Sequence, residues 1–590
     1  MKQIPLEFYK NQKTYFEAQL NKVQKELKLL SLIRFIAFVT TVFFLYYFIG
    51  KADSMLLSVV LGTTVFSFFL RRYWKKKEEK ERLLSLVKIN RLEIEVLEGN
   101  ISNLTTGAEF KDPRHAYSFD IDLFGKGSFF QYLNRTVTRA GTKKLVSLLG
   151  SNDIHKIDKK QEALLELARL PKWRQEFSAL ADSVQAEVAP EQIITWIKQH
   201  KKSLSNHHKW VPLAFSLVTV LLILGISFFE LSFNFLTIWF FIGLGFSGLY
   251  MKKVGDLYAG SGTAKATFQQ YYKLIALLEE QNFTSSLLKE KHAEIRMETK
   301  KSSQLMKQFF GYLNSMDQRN NIIFAIFGNG LLLWDIKQAY RVENWILANK
   351  EHVENWFELI SFFDAQNSLA NYVFNHPDYS FPAIVSKGAV IDAVNLGHPI
   401  LAEDKRVSSD CLINQSDFFI VTGANMAGKS TFLRTVSLSI IMSNIGLPVC
   451  ASQMKYKPIQ LITSIRNTDS LSEDTSYFFS ELKRLKFIIE ALKEDDYFIV
   501  LDEILKGTNS VDKAEGSQKF VEKLIAAQAT GIIATHDLSL CEIESTYKEI
   551  QNYFFEAEIK NDELYFDYKL KQGICQNMNA SFLLRKMEIV

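Results

Sequence analysis

Three short stretches of this chain carry residue types at spacings that could do chemistry. The first is Gly423-Ala424-Asn425-Met426-Ala427-Gly428-Lys429-Ser430-Thr431. Glycines let a backbone curl until successive N–H groups point inward at phosphate oxygens. In such a loop a lysine reaches the β- and γ-phosphates and the hydroxyl after it binds Mg2+, the places held here by Lys429 and Ser430. The second is Asp502-Glu503, where Asp502 stands as a metal ligand and Glu503 is placed to orient or deprotonate an attacking water. The third is Thr535-His536-Asp537, in which His536 could contact a γ-phosphate. A lone histidine is more often structural, so that role depends on the other two stretches.

The elements around these residues suit the chemistry. Phe418–Val421, Tyr497–Leu501 and Gly531–Ala534 are apolar runs that read as buried strands, and a helical pattern begins near Phe432. Strand, glycine-rich loop and helix is the context a phosphate-binding loop requires, and the helix N-terminus adds partial positive charge. Strands alternate with helices over residues 385–590, as a mainly parallel sheet requires. This part of the chain reads as an α/β domain that takes ATP and Mg2+ and hydrolyses the ATP.

Asn425-Met426 inside the loop makes it resemble the MutS family of DNA mismatch-repair ATPases more than ordinary transporters or helicases. The resemblance continues through Asp502-Glu503-Ile504-Leu505-Lys506-Gly507-Thr508 and Ala534-Thr535-His536. Thr475-Ser476-Tyr477-Phe478-Phe479-Ser480-Glu481 looks like the family's signature segment, and Gly397-His398-Pro399 like the motif opening its ATPase domain. The resemblance implies a homodimer through the ATPase domains, with Ser476 of one subunit completing the ATP site of the other. ATP would then stabilise a closed dimer and hydrolysis release it. Ala424 stands where the family often has Pro, and Leu505 where Gly is usual; neither change removes a functional group. ABC transporters share the general layout, but their Leu-Ser-Gly-Gly-Gln signature is absent. More weakly, Asp122-Leu123-Phe124, Gly127–Gly141 and Ile157–Phe177 are similar to the family's core domain, and Asp364–Pro382 to the end of its helical lever.

Four apolar runs do not fit a soluble relative: Leu32–Ile49, Met55–Leu70, Trp210–Phe229 and Phe233–Tyr250. A spanning helix needs about 20 apolar residues, and the runs pair naturally as two hairpins. Tyr46, Tyr47, Tyr73, Trp74, Trp210 and Tyr250 at their ends suit an interfacial belt. Arg71-Arg72-Tyr73-Trp74-Lys75-Lys76-Lys77, Lys198, Lys201, Lys202, Lys209 and Lys252-Lys253 flank them on one side, while the tips hold only Lys51, Asp53 and Glu230. Positive-inside bias places both termini and the ATPase domain in the cytoplasm of a cell with the chain in its cytoplasmic membrane. The first run lacks a small-residue cleavage site and reads as an anchor, not a signal peptide.

The fold class is therefore multidomain: a C-terminal α/β P-loop domain of ABC/MutS type, an all-α MutS-like core and lever region, and four transmembrane helices in two hairpins. The boundaries read as an amphipathic helix over 1–30, a hairpin over 31–72, and a helical region over 73–205 that is core-like from about 117. A second hairpin covers 206–252, a helical lever 253–384, and the ATPase domain 385–590. The net charge of +5 gives no independent case for nucleic acid. The four cysteines, Cys411, Cys450, Cys541 and Cys575, are scattered and read as reduced thiols.

Mismatch readers of the family wedge a Phe-x-Glu motif into DNA from an N-terminal domain. Here residues 1–30 leave no room for it, and Phe8-Tyr9-Lys10 has Lys where the Glu would stand. The second hairpin lies where a DNA clamp would interrupt the lever. Three readings stay open: a membrane-anchored ATPase that still handles DNA, a membrane switch acting on an unknown protein partner, and a transporter. The last is the weakest, because the runs hold no internal carboxylate or histidine.

Overall fold

The computed structural model describes residues 3–183, 189–295, 300–424, 426–466, 477–560 and 563–576. No proline follows Pro5 and no glycine precedes Gly50 in the N-terminal stretch, and the chain there forms one unbroken helix, α1 (Gln3–Tyr47). The amphipathic segment and the first apolar run are thus continuous. A tight turn with Gly50 at φ +90° leads into α2 (Ala52–Leu97), which extends the second run in the same way. The polar ends pack together through Leu20, Val23 and Leu27 of α1 and Leu83 and Leu86 of α2. The apolar ends leave Phe35, Phe38, Phe43, Leu57 and Leu61 exposed.

The helical region follows as α3 (Phe129–Leu133), α4 (Arg139–Gly150), α5 (Ile157–Ala168), α6 (Pro171–Asp182) and α7 (Pro190–Gln199). Ser128 and Thr138 cap α3 and α4, their hydroxyls accepting from the N–H groups of Gln131 and Gly141. The second apolar hairpin is α8 (Val211–Phe229) and α9 (Asn234–Glu280), and α9 continues well past its apolar part. Then come α10 (Ser286–Ala293), α11 (Ser302–Met316), the short apolar α12 (Ile322–Leu332) and the long α13 (Trp334–Asn375). Among the described residues, four helices are long and apolar enough to cross a membrane, and α12 with α13 is a fifth, broken candidate bent by 85°.

Much of α13 is buried, and both apolar hairpins are fastened to it. At its C-terminal end the Tyr9 hydroxyl of α1 donates to Asn375 Oδ1 (2.8 Å), and Asn375 Nδ2 donates to Glu93 of α2 (2.9 Å). Glu93 is buried against Arg135 at 2.5 Å. At its N-terminal end Trp334 Nε1 donates to the Ser315 carbonyl (3.0 Å) and Asp335 faces Arg319 (3.6 Å). Midway, buried Asp364 receives the Thr138 hydroxyl (2.7 Å) and the N–H groups of Thr138 (2.8 Å) and Val137 (3.2 Å), fixing α13 to the start of α4. Burial pushes this carboxyl up to about 6 despite those bonds.

The C-terminal domain is built on two sheets. β1 (Ala383–Ile384), β2 (Ile391–Leu396), β3 (Ser409–Ile413) and β5 (Gln453–Tyr456) form one, in the order β1-β5-β2-β3. The other contains β4 (Phe418–Gly423), β6 (Gln460–Ser464), β7 (Tyr497–Asp502), β8 (Thr530–Ala534), β9 (Ile550–Lys560) and β10 (Glu563–Gln572), in the order β10-β9-β4-β8-β7-β6. Only β10 runs antiparallel to its neighbour. Fully buried β4 lies between β8 and β9, as its uninterrupted apolar run requires. Helices α14 (Lys429–Asn444), α15 (Tyr477–Ala491) and α16 (Ser510–Ala526) connect the strands.

The helical region bears directly on α14. Asp122 pairs with Arg434 (3.2 Å) and with Arg466, and Thr463 Oγ1 donates to Asp120 (2.6 Å). At the other end, Lys160 Nζ donates to the Asn444 carbonyl (3.0 Å), where a helix terminus favours a cation.

Candidate nucleotide site

The strand ends bring the chemistry together. β4 delivers the loop 423–428, β7 ends on Asp502, and the chain after β8 carries His536. Gly423 (φ +144°) is required twice over, because a Cβ there would also lie 2.6 Å from the Phe555 carbonyl. Gly428 (φ +114°) forms the N-cap of α14. Ala424 and Ala427 are buried, whereas Met426 stands exposed at the loop tip. Lys429 lies inside the loop, its Nζ donating to the carbonyls of Gly423 (2.7 Å) and Ala424 (3.1 Å), and burial lowers its pKa.

Ser430 Oγ donates to Asp502 Oδ2 at 3.0 Å. This pair of hard oxygens beside a helix N-terminus fits Mg2+, which takes one or two protein oxygens and completes its shell with phosphates and water. Among the described residues there is no cluster of three or more histidine, cysteine or carboxylate side chains that could hold a metal ion. Burial raises the Asp502 pKa, a cost that a bound cation would remove.

Glu503 lies 3.0 Å from His536 Nε2 and 3.6 Å from Lys506 Nζ. Its hydrogen bond with His536 leads in holding the carboxyl down at about 2. In this arrangement the carboxylate is ionised and can accept a hydrogen bond from a water. His536 Nε2 is also 3.3 Å from Lys429 Nζ. One ring nitrogen cannot donate to Glu503 and accept from Lys429 together. His536 therefore sits where a change at the lysine is felt at the glutamate.

Glu503 (φ +50°) and Leu505 (φ +59°) both occupy the left-handed region, at about 1–3 kcal/mol each. Buried Glu481 on α15 holds the turn by accepting from the N–H groups of Leu505 (2.6 Å) and Lys506 (3.2 Å). Glu481 belongs to the segment 475–481 that resembles the family signature, but the resemblance assigns it no role. Neither of its contacts has a local signature.

Beside the loop opens a cavity of about 450 Å3 lined by Leu396, Leu401, Val407, Thr431, Phe555 and Tyr568 among others. Its apolar walls next to a helix N-terminus suit a flat aromatic base attached to phosphates. His398, from the motif at 397–399, lines it and is kept neutral, with burial and then Arg434 and Arg406 lowering its pKa to about 4. This wall comes from β2, the segment between β2 and β3, α14, β9 and β10, so no single contiguous motif announces it. Of the residues expected at the site, Gly423, Ala424, Met426, Ala427, Gly428, Lys429, Ser430, Thr431, Asp502, Glu503 and His536 gather here; Asn425 and Ser476 lie outside the described residues.

Residues 419–585 match MutS domain V. MutS protein homolog 4 of Homo sapiens is 30% identical over 232 residues, 38% of this chain and 24% of that protein. DNA mismatch repair protein MutS of Finegoldia magna is 31% identical over 236 residues, 39% of this chain and 27% of that protein. DNA mismatch repair protein MSH4 of Arabidopsis thaliana is 28% identical over 228 residues, 38% and 28% of the two chains. The chain thus spans about a quarter of the length of the curated relatives it matches.

Proposed function

We propose that this chain is a membrane-anchored, MutS-type ATPase. It binds ATP with Mg2+ and hydrolyses it in a homodimer, driving a conformational switch linked to DNA binding or mismatch-repair-type DNA handling. The observation that carries the reading is the meeting of Lys429, Ser430, Asp502, Glu503 and His536 at one helix N-terminus beside a base-sized cavity. Lys429 and the loop amides hold the β- and γ-phosphates, and Ser430 and Asp502 hold the metal. When bound, Mg2+ neutralises charge on the transferring phosphoryl group. Glu503 aligns the water, His536 ties Glu503 to the γ-phosphate position, and Ser476 of the second subunit completes the site.

The four long apolar helices and the basic residues at one side of them support anchoring in the cell membrane, with both termini and the ATPase domain in the cytoplasm. The names of the relatives support DNA as a ligand. The alternative is the same switch acting on a protein partner without DNA. It is favoured by the apolar α8–α9 hairpin standing between the core region and α13, where a DNA-gripping part would be needed.

The test is the ATPase rate of detergent-purified protein with and without double-stranded DNA, at low and physiological salt, with Lys429→Ala as the blank. Stimulation by DNA that fades with salt supports the DNA reading, since phosphate contacts are salt-sensitive. A robust rate indifferent to DNA selects the protein-partner switch. A rate equal to that of Lys429→Ala refutes the ATPase itself.

A further inference from the structure

The segment Ile322–Leu332, which forms α12, carries no charged residue and is too short to register as a span by length. We propose that α12 is a third membrane element beside the α8–α9 hairpin, a broken-helix insertion whose outer face is covered by lipid acyl chains. The proposal rests on the reading of α8 and α9 as membrane spans.

The first argument is depth. Gly330 of α12 meets Gly243 of α9 so closely that a Cβ on Gly243 would lie 2.4 Å from the Gly330 carbonyl oxygen. The Phe327 ring lies 5.6 Å from that of Phe240. This is the apolar stretch of α9, where Ile238, Phe241 and Ile242 point outward and are exposed. Whatever covers that band reaches α12, whose outward residues continue it: Ile322 is 75% exposed, Ile323 71% and Phe327 56%.

The second argument is the backbone. Inside hydrocarbon, a helix end is tolerated only where protein groups satisfy its polar atoms. The Thr219 hydroxyl of α8 donates to the Leu331 carbonyl (2.7 Å) and accepts from Trp239 Nε1 (3.1 Å). At the break, Leu333 adopts φ +49°, its N–H donates to the Asn329 carbonyl (3.3 Å), and Asn329 Oδ1 accepts from the Asp335 N–H (2.9 Å). At the other end Asn321 caps the helix by accepting from the Phe324 N–H (3.2 Å). A helix end facing water would have no use for a threonine from the middle of an apolar helix.

The third argument is length and return. Eleven residues span about 16 Å, too short to cross a ~30 Å hydrocarbon core. Both flanks are polar and lie together, with Arg319 over the Tyr258 ring (5.1 Å) and paired with Asp335 (3.6 Å). Tyr258 follows Lys252-Lys253, on the basic side of the hairpin. The chain therefore enters and leaves by the cytoplasmic face.

The test uses the full chain in phosphatidylcholine vesicles with some anionic lipid, with or without bromine on the acyl chains. The four native cysteines are buried, so the exposed positions Ile323→Cys and Phe327→Cys can each carry an NBD fluorophore. Leu221→Cys on α8 is the span reference, Glu290→Cys on α10 the aqueous one, and retained ATPase activity reports folding. The expected result is blue-shifted emission at 323 and 327 that loses most of its intensity with brominated chains, as at 221, with 290 unchanged. Emission at 323 and 327 like that at 290, with 221 quenched, overturns the α12 insertion and leaves the spans standing. Blue-shifted but unquenched emission at 323 and 327 also overturns it, since protein then covers the face. Loss of quenching at 221 as well defeats the membrane reading and this proposal together.

Discussion

Gly141→Ala should destabilise the protein, although glycine to alanine inside a helix ordinarily stabilises by about 1 kcal/mol. The new Cβ would lie 2.1 Å from Asp364 Oδ2, 2.5 Å from its Cγ and 2.6 Å from its Cβ. A rotamer change can move the carboxylate but not the Asp364 Cβ, which is fixed to the backbone of α13. Helices α4 and α13 must therefore separate. Overpacking of this kind costs about 1–3 kcal/mol. Lengthening the bonds from Val137 and Thr138 to a charged acceptor adds part of the ~1.5–3 kcal/mol that each contributes. After the propensity gain, a net loss of about 2–4 kcal/mol remains. Gly311→Ala in α11 is the control, since its Cβ would meet nothing within 4 Å. Unfolding followed by tryptophan fluorescence in detergent should shift the two variants in opposite directions. If Gly141→Ala is as stable as Gly311→Ala, the joint between α4 and α13 is not built as argued.

Four further outcomes follow from the site and the joint. Glu503→Gln should keep nucleotide binding and lose turnover by roughly 10²–10⁴, and because the wild-type carboxyl stays ionised down to about 2, no acid limb above pH 5 should trace to it; full activity in the variant refutes the role. Glu481→Ala should release the 503–506 turn and cut kcat by about tenfold, ~1.4 kcal/mol in the barrier, with partial rescue by Glu481→Gln and little change in ATP affinity; a loss of affinity alone would contradict this. Asp364, at about 6 when folded and ordinarily near 3.8, keeps a proton that the unfolded chain has released, so stability should fall by about 3 kcal/mol as pH rises from about 4 through 6 and then level off; Asp364→Asn should remove that slope, and an unchanged slope would assign it elsewhere. Ser476→Ala should slow turnover without abolishing nucleotide binding by the mutated subunit, measured by equilibrium binding; loss of that binding would argue against a role across the dimer.

What the sequence made legible was contiguous. A P-loop is one run of nine residues, and a carboxylate pair after an apolar strand is one run of seven, so Lys429, Ser430, Asp502 and Glu503 could be named with their roles. The parallel sheet was readable for the same reason, from apolar runs separated by helical patterns. Glu481, by contrast, acts on Leu505 and Lys506 through a fold-made contact, and the cavity wall is drawn from separate strands, a loop and α14. The short α12 escaped because eleven apolar residues resemble any buried helix; only the missing cover on Ile322 and Ile323 distinguishes it. The composition of α1 changes near residue 30, but polarity does not break a helix. Without proline or glycine, the hydrogen-bond ladder runs straight through the change.

Helix α13 holds one apolar hairpin near its first residues, through α12, and the other near its last, through Asn375. Its 42 residues make a rod of about 63 Å. Swinging such a rod by about 10° displaces one end relative to the other by about 11 Å, roughly the diameter of a helix. On the proposed membrane reading its ends are tied to separate anchors, and its tilt would set how far apart those anchors stand in the plane of the bilayer. A nucleotide-driven rotation at the domain that follows Asn375 would thus be read in the membrane as a change of spacing, without any signal passing through the lipid-facing helices themselves.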